Sequence, residues 1–330
     1  MKMDFDRIRK ILKEIPLRIS ITDHCNLNCF FCSNEGMDLS LKNTSETDFK
    51  KLVFLLRTLK KAGLEKISIT GGDPTCYTKL EDLLKEINDL KFTKSFFHTN
   101  GISLNKKLIC GELRKFDKIA ISIHSLDFQE WKKMTRGKKE QFNKILENLK
   151  LISKEGYGDK IEIKIVPIKN INESKDSIKK ILDFCEENNF QFKFLIFEPI
   201  RKDHDSLVVS LKEISCLLEN LGAKQLPKEI SFRNQGDYLP INQYKYKSVR
   251  GVLIEIGCGK KEVCETCSNS NEIFITPNLE IKPCHISPHT IDLRKTIINE
   301  EENGIINSLL MSRCFLKTSP GKDKKYWSQD

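Results

Sequence analysis

An α/β fold, with six parallel strands each followed by a helix and then a smaller cysteine-rich region, is what this chain of 330 residues predicts. Two observations carry the prediction. Short β-branched runs alternate with helical patterns from residue 16 to about 200, and helical crossovers of that length oblige the strands they join to run parallel. The chemistry-bearing residues fall just beyond the carboxyl ends of those runs, the edge where such folds build sites. Composition fits a globular protein, with 39% hydrophobic and 31% charged residues. No apolar run reaches membrane-spanning length, and the N-terminus carries Asp4 and Asp6 where a secretory signal would be apolar. A cytoplasmic protein is expected.

The elements follow in order. "LRISIT" at 17–22 reads as the first strand. Its helix starts at Thr44 or Ser45, carries Phe49, Leu52, Val53, Leu56 and Leu59 at helical spacing, and stops at Gly63. "KISIT" at 66–70 is the second strand and "LEDLLKEINDL" at 80–90 the second helix. "SFFHT" at 95–99, "KIAISI" at 118–123, "KIEIKIVPI" at 160–168 and "FQFKFLIF" at 190–197 are four further strands, each separated from the next by a helical stretch. Periodicity leaves open whether the sheet is doubly wound or a barrel. After residue 205 come one more helix in "SLVVSLKEISCLLENLG" and a hairpin, "EIFITPNLEIKPC", turning at Pro277-Asn278. The division expected is 15–205 and 206–330.

Twelve cysteines in a reducing compartment read as metal ligands or thiols rather than disulfides. Cys25, Cys29 and Cys32 share one loop, "ITDHCNLNCFFCSNEG", directly after the first strand. Three thiolates so spaced can each take one iron of a cubane cluster. A zinc site, with His24 as fourth ligand, stays open on spacing alone. The net charge of +10 is spread over helical lysines such as Lys50, Lys51, Lys60 and Lys61 with no aromatic-interleaved basic patch, so no nucleic-acid partner and no membrane is expected. Cys76, Cys110, Cys185 and Cys216 stand singly and read as small buried residues.

The cysteine loop, "KISITGGDPT", "HTNGISL", "IAISIHSLD" and "KIVPIKNINE", in this order, resemble the radical S-adenosylmethionine superfamily, and within it the GTP 3',8-cyclase branch with an auxiliary cluster. The resemblance covers about residues 15–285 and implies a partial (β/α)6 barrel. It implies that Cys25, Cys29 and Cys32 bind a [4Fe-4S] cluster that cleaves S-adenosylmethionine to a 5'-deoxyadenosyl radical. It places Gly71, Gly72 and Asp73 along the methionine moiety, Ser122 at the ribose and Phe31 in the aromatic slot beside the third cysteine. It assigns a second [4Fe-4S] cluster to Cys264, Cys267 and Cys284, with Cys258 as an added ligand and Cys314 a weaker one; structural zinc remains the rival there. A flavodoxin or ferredoxin as electron donor is implied.

The departures concern the substrate. The GTP cyclases hold a triphosphate with cations facing into the barrel. Here Arg18 matches one, while Ser68, Glu162, Glu272 and Phe274 stand where the others are placed. The chain finishes "KDKKYWSQD" where the cyclases have a Gly-Gly tail, and its first strand begins too early for a preceding leader-binding module. The expectation is therefore an enzyme that abstracts hydrogen from a small, non-triphosphate substrate near a second cluster. The alternatives are a peptide maturase using a separate leader-binding partner, a divergent GTP 3',8-cyclase and a non-catalytic metal module.

Overall fold

Six parallel strands cross the sheet in chain order: β1 (Pro16–Ser20), β2 (Lys66–Thr70), β3 (Lys94–Thr99), β4 (Lys118–Ser122), β5 (Ile161–Ile165) and β6 (Gln191–Leu195). The computed structural model describes residues 5–32, 45–199, 202–227, 241–255, 272–283 and 289–318. Because the strand order never reverses, right-handed crossovers put every helix on one face, and the sheet curls around the other. That is a partial barrel and not a doubly wound sheet. All six strands lie where the sequence places them, with ends trimmed by up to three residues.

The helices between the strands are α2 (Phe49–Ala62), α3 (Leu80–Leu90), α4 (Lys106–Cys110), α5 (Phe128–Thr135), α6 (Lys139–Lys154) and α7 (Lys175–Glu187). α2 starts later than expected because Asp48, not Ser45, caps it by accepting from Lys51 N–H. An unforeseen helix, α1 (Phe5–Glu14), buries Ile8 and Leu12, one turn apart. Gly63 ends α2 at φ 110°, and a side chain there would strike Arg9, with its Cβ 2.6 Å from Arg9 Cγ.

The later residues extend the same sheet at both edges instead of forming a separate layer. α8 (Leu211–Asn220), capped by Ser210, leads through β7 (Lys224–Gln225) to the hairpin of β8 (Ile241–Tyr246) and β9 (Val249–Ile254), and β9 pairs with β6. At the other edge β10 (Ile273–Ile275) pairs with β1 and turns back into β11 (Glu280–Lys282), the hairpin expected around Pro277-Asn278. β12 (Ile291–Asp292), α9 (Arg294–Ile298) and α10 (Glu302–Thr318) follow.

Strand residues alternate between two environments. Leu17, Ile19, Ile67, Ile69, Phe97, Ile119, Ile121, Ile163, Phe192 and Phe194 are buried in the core shared with the helices, each contributing about 2 kcal/mol. The intervening positions face the concave side, where Phe96, Ala120 and Phe274 are joined by the polar Arg18, Ser68, His98, Glu162, Lys164 and Lys193. Among the described residues no helix is long and apolar enough to cross a membrane.

Candidate active site

The cysteine loop leaves β1 at the carboxyl edge and is clamped from three sides. Thr22 and His24 carbonyls accept the Gly72 and Asp73 N–H groups, both at 2.7 Å. Gly72 has no room for a side chain, since a Cβ would lie 2.4 Å from the Asp23 and His24 oxygens. Its missing side chain thus lets the loop's own backbone approach. Asn28 and Phe30 N–H donate to Thr135 and Met134 carbonyls at the end of α5, and Gln141 on α6 donates to the Asn26 carbonyl. Asn26 also donates to Ser103 and accepts from Asn100 Nδ2 at 2.6 Å.

Asp73 is 1% exposed and spends its carboxylate within the protein. It accepts from Thr75 N–H and Oγ1, from Thr99 Oγ1 and, at 2.6 Å, from Asn100 N–H. Burial pushes its carboxyl up while these hydrogen bonds oppose the shift. It therefore ties the ends of β2 and β3 together. Phe31 packs edge-on against His124, with centroids 4.9 Å apart, and lies in a small apolar cluster with Met134, Ile168 and Phe197. Ser122 ends β4 beside Lys164 on β5.

The three thiols are partly exposed at the edge. Burial pushes Cys25 up to about 12, where the nearby Asp73, Cys32 and Cys76 add to the shift, and pushes Cys29 higher still, helped by Cys32 and Cys25. Clustered positive iron reverses both effects by taking thiolates as ligands. Asn100 Nδ2 also points at Cys25 Sγ, 3.8 Å away, a donor suited to a ligating sulfur. Among the described residues no three His, Cys, Asp or Glu side chains converge on a single ion, which a zinc site with His24 would require, whereas a cubane takes its thiolates one per iron. The residues present suit such a cluster. Cys258, Cys264, Cys267 and Cys284, and the side chain of Cys314, lie outside the described residues.

Below the loop, the concave face brings together every expected substrate residue. Arg18 stands beside Ser68 on one side and Phe274 on the other, and its Nε donates to Glu272 at 3.2 Å. The expectation that Arg18 is the one cation there is corrected. Lys164 and Lys193 occupy the same face, with Lys118 at its amino end. Motif alignment looked at Glu162 for the fifth-strand lysine, but strand period places Lys164, two residues on, on the same face. The period-2 pattern of "KIEIKI" and "FQFKF" is the signal that could have found both lysines.

Glu162 lies between Lys118, 3.5 Å from Oε2, and Lys193, 3.7 Å from Oε1. Burial alone would raise its carboxyl, yet Lys193, Lys118 and Lys164 hold it below the usual carboxylate range. Its Oε1 is buried and accepts no hydrogen bond among the described residues, and Glu162 lines a cavity of about 460 Å³ together with Gln191, Tyr244 and Val252 at the amino end of the strands. His98, also missed, bonds through Nε2 to Ser68 Oγ and through Nδ1 to Lys164 Nζ, each at 2.7 Å. Burial, then Lys164, Arg18 and Lys193, drive it well below the ordinary imidazole range, so it is neutral. Arg18, Lys118, Lys164 and Lys193 thus share this face with Glu162, Glu272 and the neutral His98.

Known proteins resemble the chain along most of its length. It is 26% identical over 310 residues to a probable GTP 3',8-cyclase of Methanococcus aeolicus, covering 91% of this chain and 93% of that one. It is 28% identical over 291 residues to a GTP 3',8-cyclase of Lactiplantibacillus plantarum, covering 85% and 82%. In fold it is similar to the crystal structure of Streptococcus suis SuiB bound to S-adenosylmethionine, with TM-score 0.66 and 18% identity over 97% of this chain and 72% of that one. The profile of the Radical SAM superfamily matches residues 19–185, just over half of the chain, spanning the cysteine loop and β1 to α7: the chain belongs to the radical S-adenosylmethionine superfamily.

Proposed function

We propose that this enzyme is a divergent GTP 3',8-cyclase, acting on a purine nucleoside triphosphate held along the concave face. The observation that carries the reading is the set of Arg18, Lys164 and Lys193 on the concave face below the cysteine loop, with Lys118 at the amino end of that face, opposed by two carboxylates. Excess positive charge in a partly desolvated groove favours a polyanion. Likeness along most of the chain to proteins named as GTP 3',8-cyclases supports it, and Lys164 and Lys193 supply positive charge where Ser68, Glu162, Glu272 and Phe274 do not.

Members of the superfamily use a [4Fe-4S] cluster with S-adenosylmethionine and need an electron donor, and the cluster supplies the electron that yields a 5'-deoxyadenosyl radical. In this reading Cys25, Cys29 and Cys32 would hold the cluster. The Gly72 and Asp73 contacts set the loop's height above the barrel, and Asn100 orients an N–H toward Cys25. Arg18 and the lysines place the triphosphate so that the ribose faces the loop, with Phe274 beside Arg18 in register. A second [4Fe-4S] cluster on Cys264, Cys267 and Cys284, with Cys258, belongs to the same reading, supported by the order of those cysteines after the β9 strand. A flavodoxin or ferredoxin would deliver the electron.

The test is anaerobic incubation of the reconstituted protein with S-adenosylmethionine, a strong reductant and GTP. GTP-dependent 5'-deoxyadenosine and a cyclised 3',8 product are expected. Cleavage of S-adenosylmethionine that GTP neither accelerates nor couples to product would overturn the substrate, returning the small non-triphosphate or peptide readings. Loss of the cluster and of cleavage in a Cys25, Cys29 and Cys32 triple alanine variant checks the ligands.

A further inference from the structure

The Ser68–His98–Lys164 chain is unlike the other charged contacts on the concave face. Lys118 and Lys193 are both held by Glu162, and Arg18 by Glu272, so each of these cations faces a carboxylate. Lys164, whose charge also acts on Glu162, donates in addition to a neutral ring. A lysine ammonium has donors only, so Nδ1 of His98 must accept from it. The neutral imidazole then carries its one hydrogen on Nε2, which donates to Ser68 Oγ at 2.7 Å. With its lone pair taken in this way, Ser68 is left to donate its hydroxyl hydrogen. His98 is buried and flanked by Lys164, Arg18 and Lys193, which disfavour a second proton on the ring.

From this geometry we infer that His98 is a positioning residue that makes Lys164 and Ser68 a fixed pair of donors for an anionic group of the substrate. A carboxylate at position 98 would hold Lys164 equally well but would add a second negative charge to that of Glu162; a neutral acceptor fixes its direction and adds none. Ser68, which stands where the related cyclases place a cation, thereby contributes an oriented O–H in place of the charge. The tautomer also determines what this pair rejects: a ligand group with donors only would meet Lys164 and Ser68 donor to donor, an arrangement that costs both partners their hydrogen bonds. The inference rests on the triphosphate reading for its choice of anion, but the tautomer does not depend on it.

Two measurements on the reconstituted full chain test the inference. Nitrogen NMR of the imidazoles, with His98 assigned by its disappearance from His98→Gln among the six histidines, should show hydrogen on Nε2 and a bare, hydrogen-bonded Nδ1. A hydrogen on Nδ1, or a charged ring, overturns the inference. Calorimetry with GTP and with inorganic tripolyphosphate should show affinity falling about tenfold in His98→Leu and about tenfold in Lys164→Met, with the double variant no weaker than about the worse single one, because the two residues act as a unit. His98→Gln, whose amide can accept from Lys164 and donate to Ser68, should stay within about threefold of the parent. Additive losses, or full affinity in His98→Leu, overturn the positioning role. If the parent binds neither probe while the Nε2 tautomer is observed, the triphosphate reading fails and the hydrogen-bond order stands.

Discussion

Asp73 Oδ2 accepts the Asn100 N–H at 2.6 Å, joining the loop after β2 to the loop after β3 directly beneath the cysteines. The same Asn100 reaches Asn26 and Cys25 through its side chain. One buried carboxylate thus determines the height at which an amide meets a thiol, and its replacement tests how far the site depends on it. In Asp73→Asn the new NH2 group meets donors at Thr75, Thr99 or Asn100, and a buried donor facing a donor costs about 1–3 kcal/mol. A lower urea midpoint and less iron per chain after reconstitution are expected; unchanged values for both would show that the bracket is dispensable.

Gly72 faces backbone on two sides, so even a methyl group has nowhere to go. Gly72→Ala should lift the Asp23–His24 segment, lengthen the 2.7 Å bond from Asp73 N–H to the His24 carbonyl, and lower S-adenosylmethionine cleavage at least tenfold with the fold retained. Circular dichroism together with 5'-deoxyadenosine formation checks this. Parental cleavage would show that the loop tolerates displacement.

Glu162 neutralises two lysines of the concave face. In Glu162→Gln the lysines lose their counter-charge, and affinity for tripolyphosphate should rise by on the order of tenfold, although stability falls because buried ammonium groups lose their partner. Calorimetry and urea unfolding read the two effects separately. Weaker tripolyphosphate binding would mean that Glu162 orients Lys118 and Lys193 more than it masks them.

The buried imidazoles make stability depend on pH. His98 is held well below the ordinary histidine value by burial and nearby cations, and His124 is lowered to about 3 by burial and by Lys164. As pH falls below about 6.5, the unfolded chain binds protons that these folded rings refuse, so the contribution is present above that pH and is lost on acidification. Each ring gives a slope of up to about 1.4 kcal/mol per pH unit between pH 6.5 and 5. Urea midpoints at pH 7.5, 6 and 5 should fall in step, and His98→Gln should flatten the trend. A flat parental profile would mean that both rings are reached by solvent.

Sequence alone determined the alternation of strands and helices, the loop bearing Cys25, Cys29 and Cys32, and the edge at which it sits, because these are local: apolar periodicity, Gly63 as a stop, and cysteines close enough in the chain to share one loop. It also supplied the residues of the concave face without their neighbours. Whether Glu162 or Lys164 serves as the fifth-strand residue, that Lys193 joins them, and that His98 hydrogen-bonds Ser68 and Lys164, follow from strand register and from the curl of the sheet. Both depend on pairings between residues far apart in the chain, as with Arg18 and Glu272, 254 positions from each other. Motif spacing along one strand carries no information about the strand beside it. The partial barrel itself was decided at that level too, since the same six strands and helices could have wound about a switch point; only the unbroken order from β1 to β6, closed at its edges by β9 and β10, makes the polar face an interior.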